Sequence, residues 1–217
     1  MCLSKITRHS FHFYGSEVIS GNEEKRYIGR TDEALSATGI TEIEERMHKG
    51  LYPKADIVIH SGMKRTRETA ELIYGAHREF VTEERLRECD FGTFEGKNYI
   101  ELSGNTDYQK WIDSNGTLPF PNGEDREQFI HRCVDGFLSC IEKYKEYEQL
   151  VFCVHGGTIM AILSRLADDA ACNQPTGLGK TYYDYYCDNG GCLSYQVQYG
   201  DGIQLKDMNR NACSNSL

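Results

Sequence analysis

Ile6-Thr7-Arg8-His9-Ser10 is the stretch around which this 217-residue chain is organised. Residues 4–9 read as a first strand, and an arginine and a histidine stand where that strand hands over to a loop. Open α/β sheets hold their ligands just beyond the carboxyl ends of the strands. An Arg-His pair at such a tip can grip an anion with one side chain and attack it with the other. Taken alone, an exposed dipeptide at the start of a loop explains the pair as well. Its weight comes from the rest of the chain.

Outward from that stretch, strand and helix patterns alternate. Residues 11–25 form a polar and aromatic loop, and a helix with Ile40, Ile43 and Met47 at helical spacing follows over about 38–49. Residues 55–60 are a short run rich in β-branched side chains, a buried strand ending at the Ser61-Gly62 turn. An amphipathic helix is expected over 64–74, a third strand within 79–88, and short helices within 97–111. The longest helical pattern covers 124–147, with Phe129, Cys133, Phe137 and Ile141 on one face. Leu150-Val151-Phe152-Cys153-Val154 is the clearest buried strand, with His155-Gly156-Gly157 at its tip and a helix after it over 158–166. Residues 192–199 alternate as a late strand, and the polar tail from Met208 is expected to fray. This order predicts a three-layer α/β/α sandwich with a largely parallel central sheet. No linker divides it, so residues 1–217 are read as one domain.

The formal net charge is −9, which excludes nucleic acid as the main partner, because phosphate-backbone binding needs a basic surface. A small phosphorylated ligand is compatible with that charge, since a local pocket of arginines can be basic inside an acidic protein. No apolar run follows the first residues and none is long enough for a membrane helix, so the chain reads as cytoplasmic with no membrane partner. Nine cysteines are scattered without a Cys-x-x-Cys pair. They read as small buried hydrophobes in a reducing compartment rather than a zinc site. No metal-ligand spacing such as His-Glu-x-x-His occurs, and no metal or cofactor is expected.

Four polar clusters fall at expected strand ends: Arg8-His9, Ser61 to Arg65, Arg87-Glu88 and His155-Gly156. In a parallel sheet they converge on one edge. Arginine holds a phosphomonoester dianion through planar, bidentate donors. A neutral imidazole attacks phosphorus, and a carboxyl group with a raised pKa protonates the departing alkoxide. Singly, His155 reads equally as a core histidine, Arg65 as a solvated helix residue and Glu88 as half of an ion pair with Arg87.

Together the motifs resemble the histidine phosphatase, or phosphoglycerate mutase-like, superfamily. They are Thr7-Arg8-His9-Ser10, Arg26-Tyr27-Ile28-Gly29-Arg30-Thr31-Asp32, Ser61-Gly62-Met63-Lys64-Arg65-Thr66-Arg67-Glu68-Thr69-Ala70, Leu86-Arg87-Glu88-Cys89-Asp90-Phe91-Gly92 and Val154-His155-Gly156-Gly157-Thr158. The resemblance implies that His9 is the nucleophile and becomes the phosphohistidine. It implies that Arg8, Arg65 and His155 surround the phosphoryl group and that Glu88 is the proton donor. It also implies substrate-binding roles for Ser10, Asn22, Gly29 and Gly156.

Two departures stand out. Ser10 occupies the position of the family's glycine, and the stretch from His9 to Asn22 is longer than the family pattern by about seven residues, an excess a surface loop absorbs at small entropic cost. Phe11, His12, Phe13 and Tyr14 lie in that excess, either as pocket wall or lid, or as a surface excursion packed on its own aromatics. Residues 97–127 are short and acidic, unlike the mutases of the family, and resemble the small phosphatases such as α-ribazole phosphatase. The expectation is a metal-independent phosphatase acting on a small phosphomonoester through a phosphohistidine. Phosphoglycerate mutase activity and a non-catalytic phosphate-ligand-binding or regulatory member of the fold are the alternatives. The residues leave the oligomeric state open.

Overall fold

The computed structural model describes residues 10–15, 19, 21, 24–187, 189, 191–199 and 202–211. Its sheet has six strands: β1 (Ser10–Gly15), β2 (Ile57–His60), β3 (Val81–Thr82), β4 (Gln149–Val154), β5 (Cys192–Tyr199) and β6 (Ile203–Asn211). The order is β3-β2-β4-β1-β5-β6. The first four are mutually parallel, and β5 and β6 close one side as an antiparallel pair. The largely parallel mixed sheet is as expected. Among the described residues the longer helices are α1 (Ala37–His48), α2 (Lys64–Tyr74), α3 (Thr106–Asp113), α4 (Arg126–Lys143) and α5 (Gly156–Leu166).

The strands sort their side chains by period two. Phe11, Phe13, Ile59, Leu150, Phe152 and Val154 are buried in one core with Phe137 of α4 and Ile159 and Ile162 of α5. Val58, Val151 and Cys153 alternate with them and pack with Ala70 of α2. Helices therefore cover both faces. Phe13 lies against Phe137, Phe152 and Tyr195, with ring centroids 5.3, 5.5 and 6.3 Å apart. Among the described residues Cys89, Cys133, Cys140, Cys153, Cys187 and Cys192 are buried as small hydrophobes, and Cys172 is exposed.

Residues 4–9, read as the first strand, lie outside the described residues. The start of the sheet corrects the reading of residues 11–25 as a loop: Ser10–Gly15, six residues beyond the expected strand, is β1 and pairs with β4 from Ser10↔Gln149 to Gly15↔Val154. The cause is in the side chains. Phe11 and Phe13 alternate with His12 and Tyr14 as a half-buried strand does, whereas residues 4–9 offer only Ile6 as a large apolar group. Residues 11–14 are thus neither lid nor surface excursion; they are the middle of the sheet. The expected third strand shrinks to Val81–Thr82, because a 3-10 turn at Glu84–Leu86 rolls Leu86 into the core. The tail also differs: Ile203–Asn211 is paired as β6 instead of fraying at Met208.

Candidate phosphate-binding site

β4 lies between β2 and β1, so the carboxyl tips of these three strands are neighbours. Ser61 follows β2, His155 follows β4, and Gly15 ends β1. Ser61 and His155 are buried, and the imidazole Nε2 meets the Ser61 hydroxyl at 2.8 Å. The Thr66 hydroxyl donates to the Met63 carbonyl, which leaves its oxygen to accept from Ser61 at 2.9 Å. Ser61 thus accepts from His155, and the proton of His155 is on Nε2. Nδ1 is then the acceptor for Arg65 Nε, at 3.3 Å. Burial, with Arg65 and Arg132 nearby, pushes the His155 pKa well below the usual histidine value, so the ring is neutral.

Arg65 is the second residue of α2, whose first backbone N–H is capped from outside by Asp32 Oδ1 at 2.7 Å. Arg65 is 2% exposed, and its guanidinium donates to the carbonyls of Thr31 (2.8 Å) and Gly29 (3.2 Å) as well as to His155. All three acceptors are neutral. Among the described residues no carboxylate lies within ion-pair distance of this buried cation, although Glu88 and Asp32 favour its charge from further away. The turn that supplies the two carbonyls is pinned by Glu95 Oε1, which accepts from Gly29 N, Thr31 N and Thr31 Oγ1, each at 2.9 Å. Gly29 is fixed by contact: a Cβ there would stand 1.8 Å from the Cys89 carbonyl oxygen.

Glu88 reaches the same edge from the loop after the 3-10 turn. Its carboxylate accepts from Cys89 N (2.8 Å) and Gly157 N (3.0 Å). Burial nevertheless raises its pKa, outweighing the two N–H donors and the arginines. Gly157 is required, since a Cβ would meet Glu88 Oε1 at 2.3 Å. Arg132 of α4 holds this loop, paired with both oxygens of Glu124 at 2.8 Å and donating to the Arg85, Arg87 and Glu88 carbonyls. Neither Arg132 nor the role of Ser61 was apparent from sequence. The only signal was their position, a polar residue on a core helix and a serine at a strand tip.

Two cavities meet at Glu88. One, of about 660 Å³, includes Gly29, Arg87 and Arg132 in its lining. The other, of about 180 Å³, is walled by Phe91, Trp111, Phe120, Tyr182 and Tyr183, with Arg126 at its side. Trp111 lines this cavity. Tyr108 stacks behind it, at 6.3 Å.

Hydrogen bonds join Arg65 to His155 and to Gly29, and Glu88 to Gly157, next to Gly156, the first residue of α5, where helix N–H groups lack intrahelical acceptors. The structure does not bring Ser10 there. Ser10 pairs with Gln149 at the opposite end of the sheet, roughly 16 Å from Gly15 at the usual strand rise. The expected roles of Arg8, His9 and Asn22 fall on residues outside those described. Among the described residues no cluster of three His, Cys, Asp or Glu could hold a metal ion, and no helix is long and apolar enough to cross a membrane.

The arrangement is a buried polar cluster at the edge of an α/β sheet, and comparison with known proteins gives the family. The chain matches the model of the histidine phosphatase superfamily (branch 1) over residues 7–177 and belongs to that superfamily. It is 31% identical to the Hydrogenobacter thermophilus protein named "Putative phosphoserine phosphatase 2", over 87% of this chain and 89% of that one. It is 28% identical to a protein of Proteus mirabilis named as a probable phosphoglycerate mutase, over 66% of this chain and 67% of the other. Its fold is shared with the crystal structure of the α-ribazole phosphatase from Shigella flexneri, with a TM-score of 0.73, 20% identity, and 94% and 98% of the two chains covered. Relatives of this chain are thus phosphatases and mutases.

Proposed function

We propose that this chain recognises a small phosphomonoester whose alcohol carries a flat ring. The phosphoryl group sits against Arg65, the neutral His155 and the N–H at Gly156. The ester oxygen faces Glu88, and the ring enters the aromatic cavity beyond it. The observation that carries this reading is the Arg65 guanidinium, buried among neutral acceptors with no carboxylate in contact among the described residues. Such a charge is costly unless a partner arrives, and a phosphate matches the planar fork of arginine. Neither step needs a metal.

Calorimetric titration tests this with inorganic phosphate and phenyl phosphate. The expected result is binding of both, tighter for the aryl ester and lost in Arg65→Ala. Equal binding by wild type and Arg65→Ala would refute it.

Hydrolysis as a phosphoric monoester hydrolase is the second reading, favoured by the Glu88 carboxyl whose raised pKa suits a proton donor. It requires an acceptor for the phosphoryl group in addition. The mutase alternative requires that acceptor too, together with a site for a second anionic group.

A further inference from the structure

Phosphoryl transfer to the protein needs a lone pair on the side of phosphorus away from the oxygen that Glu88 protonates. The three adjacent strand tips are the places from which a side chain can supply it. At β2 the Ser61 hydroxyl accepts from His155 and donates to Thr66. At β4 the His155 ring donates from Nε2 and accepts at Nδ1, so neither nitrogen offers a lone pair to phosphorus. At β1 the strand ends on Gly15, which has no side chain, and Ser16 after it lies outside the described residues.

Among the described residues, the other nucleophiles near this edge are committed elsewhere. His60 accepts from Gly62 N at 3.0 Å and meets Thr82 at 3.2 Å through its other nitrogen. His12 lies three residues back along β1, bonded to Ser194 at 2.7 Å. The Cys89 thiol beside Glu88 is buried, and desolvation together with Glu88 pushes its pKa far up, so it stays protonated. The chain has no histidine between His12 and His48, so the segment leading out of β1 supplies none. His9 precedes Ser10, and Ser10 begins β1 at the amino edge of the sheet, beside Gln149.

The shift of β1 also removes an oddity. With the strand at Ser10–Gly15, the excess ahead of Asn22 falls from about seven residues to about one. The last two strand positions, which Arg8-His9 held in the expected strand, are then Tyr14-Gly15.

We infer that the site is a receptor for an intact phosphomonoester, with the anion-holding and proton-donating groups in place and no phosphohistidine formed. This rests on the recognition reading above. The ester binds, is held and leaves with its P–O bond unbroken. Turnover through His9 does not occur.

The test uses the full chain and separates binding from chemistry. Binding of phenyl phosphate is read by calorimetry, turnover by nitrophenol release from p-nitrophenyl phosphate, and the phosphoprotein by acid-labile label after rapid quench. The inference expects wild type to bind, to release nitrophenol no faster than buffer, and to carry no label, with His9→Ala indistinguishable in all three. A double variant, Tyr14→Arg with Gly15→His, is expected to acquire acid-labile label. Nitrophenol release by wild type that His9→Ala abolishes, or label on any wild-type histidine, would overturn the inference. A folded, ligand-binding double variant that takes up no label would overturn the assignment of the β1 tip as the vacated position. Absence of phosphate binding by wild type would instead sink the recognition reading, and the receptor with it.

Discussion

Two neighbouring strand tips on one sheet edge have different chemistry. The tip of β4 ends in His155, joined to Ser61 and Arg65, and next to a helix start that also fixes Glu88 through Gly157. The tip of β1, one strand away, ends in a glycine. The strands themselves are equally well packed: Phe11 and Phe13 are as buried as Phe152 and Val154. On the receptor reading inferred above, the fold and the groups proposed to hold the anion are kept while the end of β1 carries no side chain. Packing holds the strand, and packing is indifferent to what stands at its end.

The largest expected effect checks the strand itself. Phe13→Ala removes a fully buried ring stacked on Phe137 and Phe152, and should cost about 3–5 kcal/mol in denaturant unfolding. A cost below about 1 kcal/mol would contradict the place of this ring in the middle of the sheet.

Arg65 comes next, and its two effects have opposite signs. Arg65→Met should weaken phosphate binding by about 2–3 kcal/mol, the range for a charge-assisted bond, in calorimetry. The same change should leave ligand-free stability unchanged or raise it by about 1 kcal/mol, because it removes a buried charge without a contacting carboxylate. Loss of several kcal/mol of stability would mean that Arg65 serves the fold and not a ligand.

Gly157→Ala should cost about 1–3 kcal/mol and weaken ligand binding, since its Cβ would meet Glu88 Oε1 at 2.3 Å and displace that carboxyl. Gly156→Ala meets nothing closer than the Cys187 carbonyl at 3.8 Å and should be mild. Equal effects at the two glycines would contradict the Glu88 contact.

The smallest effects are in the pH profile. His155 has a folded pKa well below 6.5, so the unfolded chain takes up a proton first as pH falls. Its contribution is present above about 6.5 and lost below, together with those of His12 and His60, which burial also lowers. Glu88 works the other way: its folded pKa is raised, so its contribution is full below about 4.5 and lost as pH rises through the folded value. Glu88→Gln should flatten the second slope and leave the first. Melting curves across pH 4–8 read both.

Most of the site was legible because its residues lie at strand ends whose strands announce themselves. Leu150-Val151-Phe152-Cys153-Val154 is too apolar to be anything but a buried strand, and His155 follows it directly. Lys64–Tyr74 has clear helical spacing, which put Arg65 at its first turn. β1 was misread because a two-residue chemical motif outweighed a four-residue alternation. Phe11-His12-Phe13-Tyr14 carries the strand period in plain view, but its large aromatics also suit a pocket wall. The contacts that hold Glu88 join residues far apart in sequence, Arg132 and Gly157, and no local pattern marks them.

The most direct test of the account is a prolonged incubation of wild-type protein, at high concentration, with a labelled aryl phosphate, followed by quench and mapping of any phosphorylated residue by mass spectrometry. The account predicts that the ester is recovered intact, saturably bound, with no phosphohistidine at any position. Phosphate found on His9, with free alcohol released in step, would contradict it.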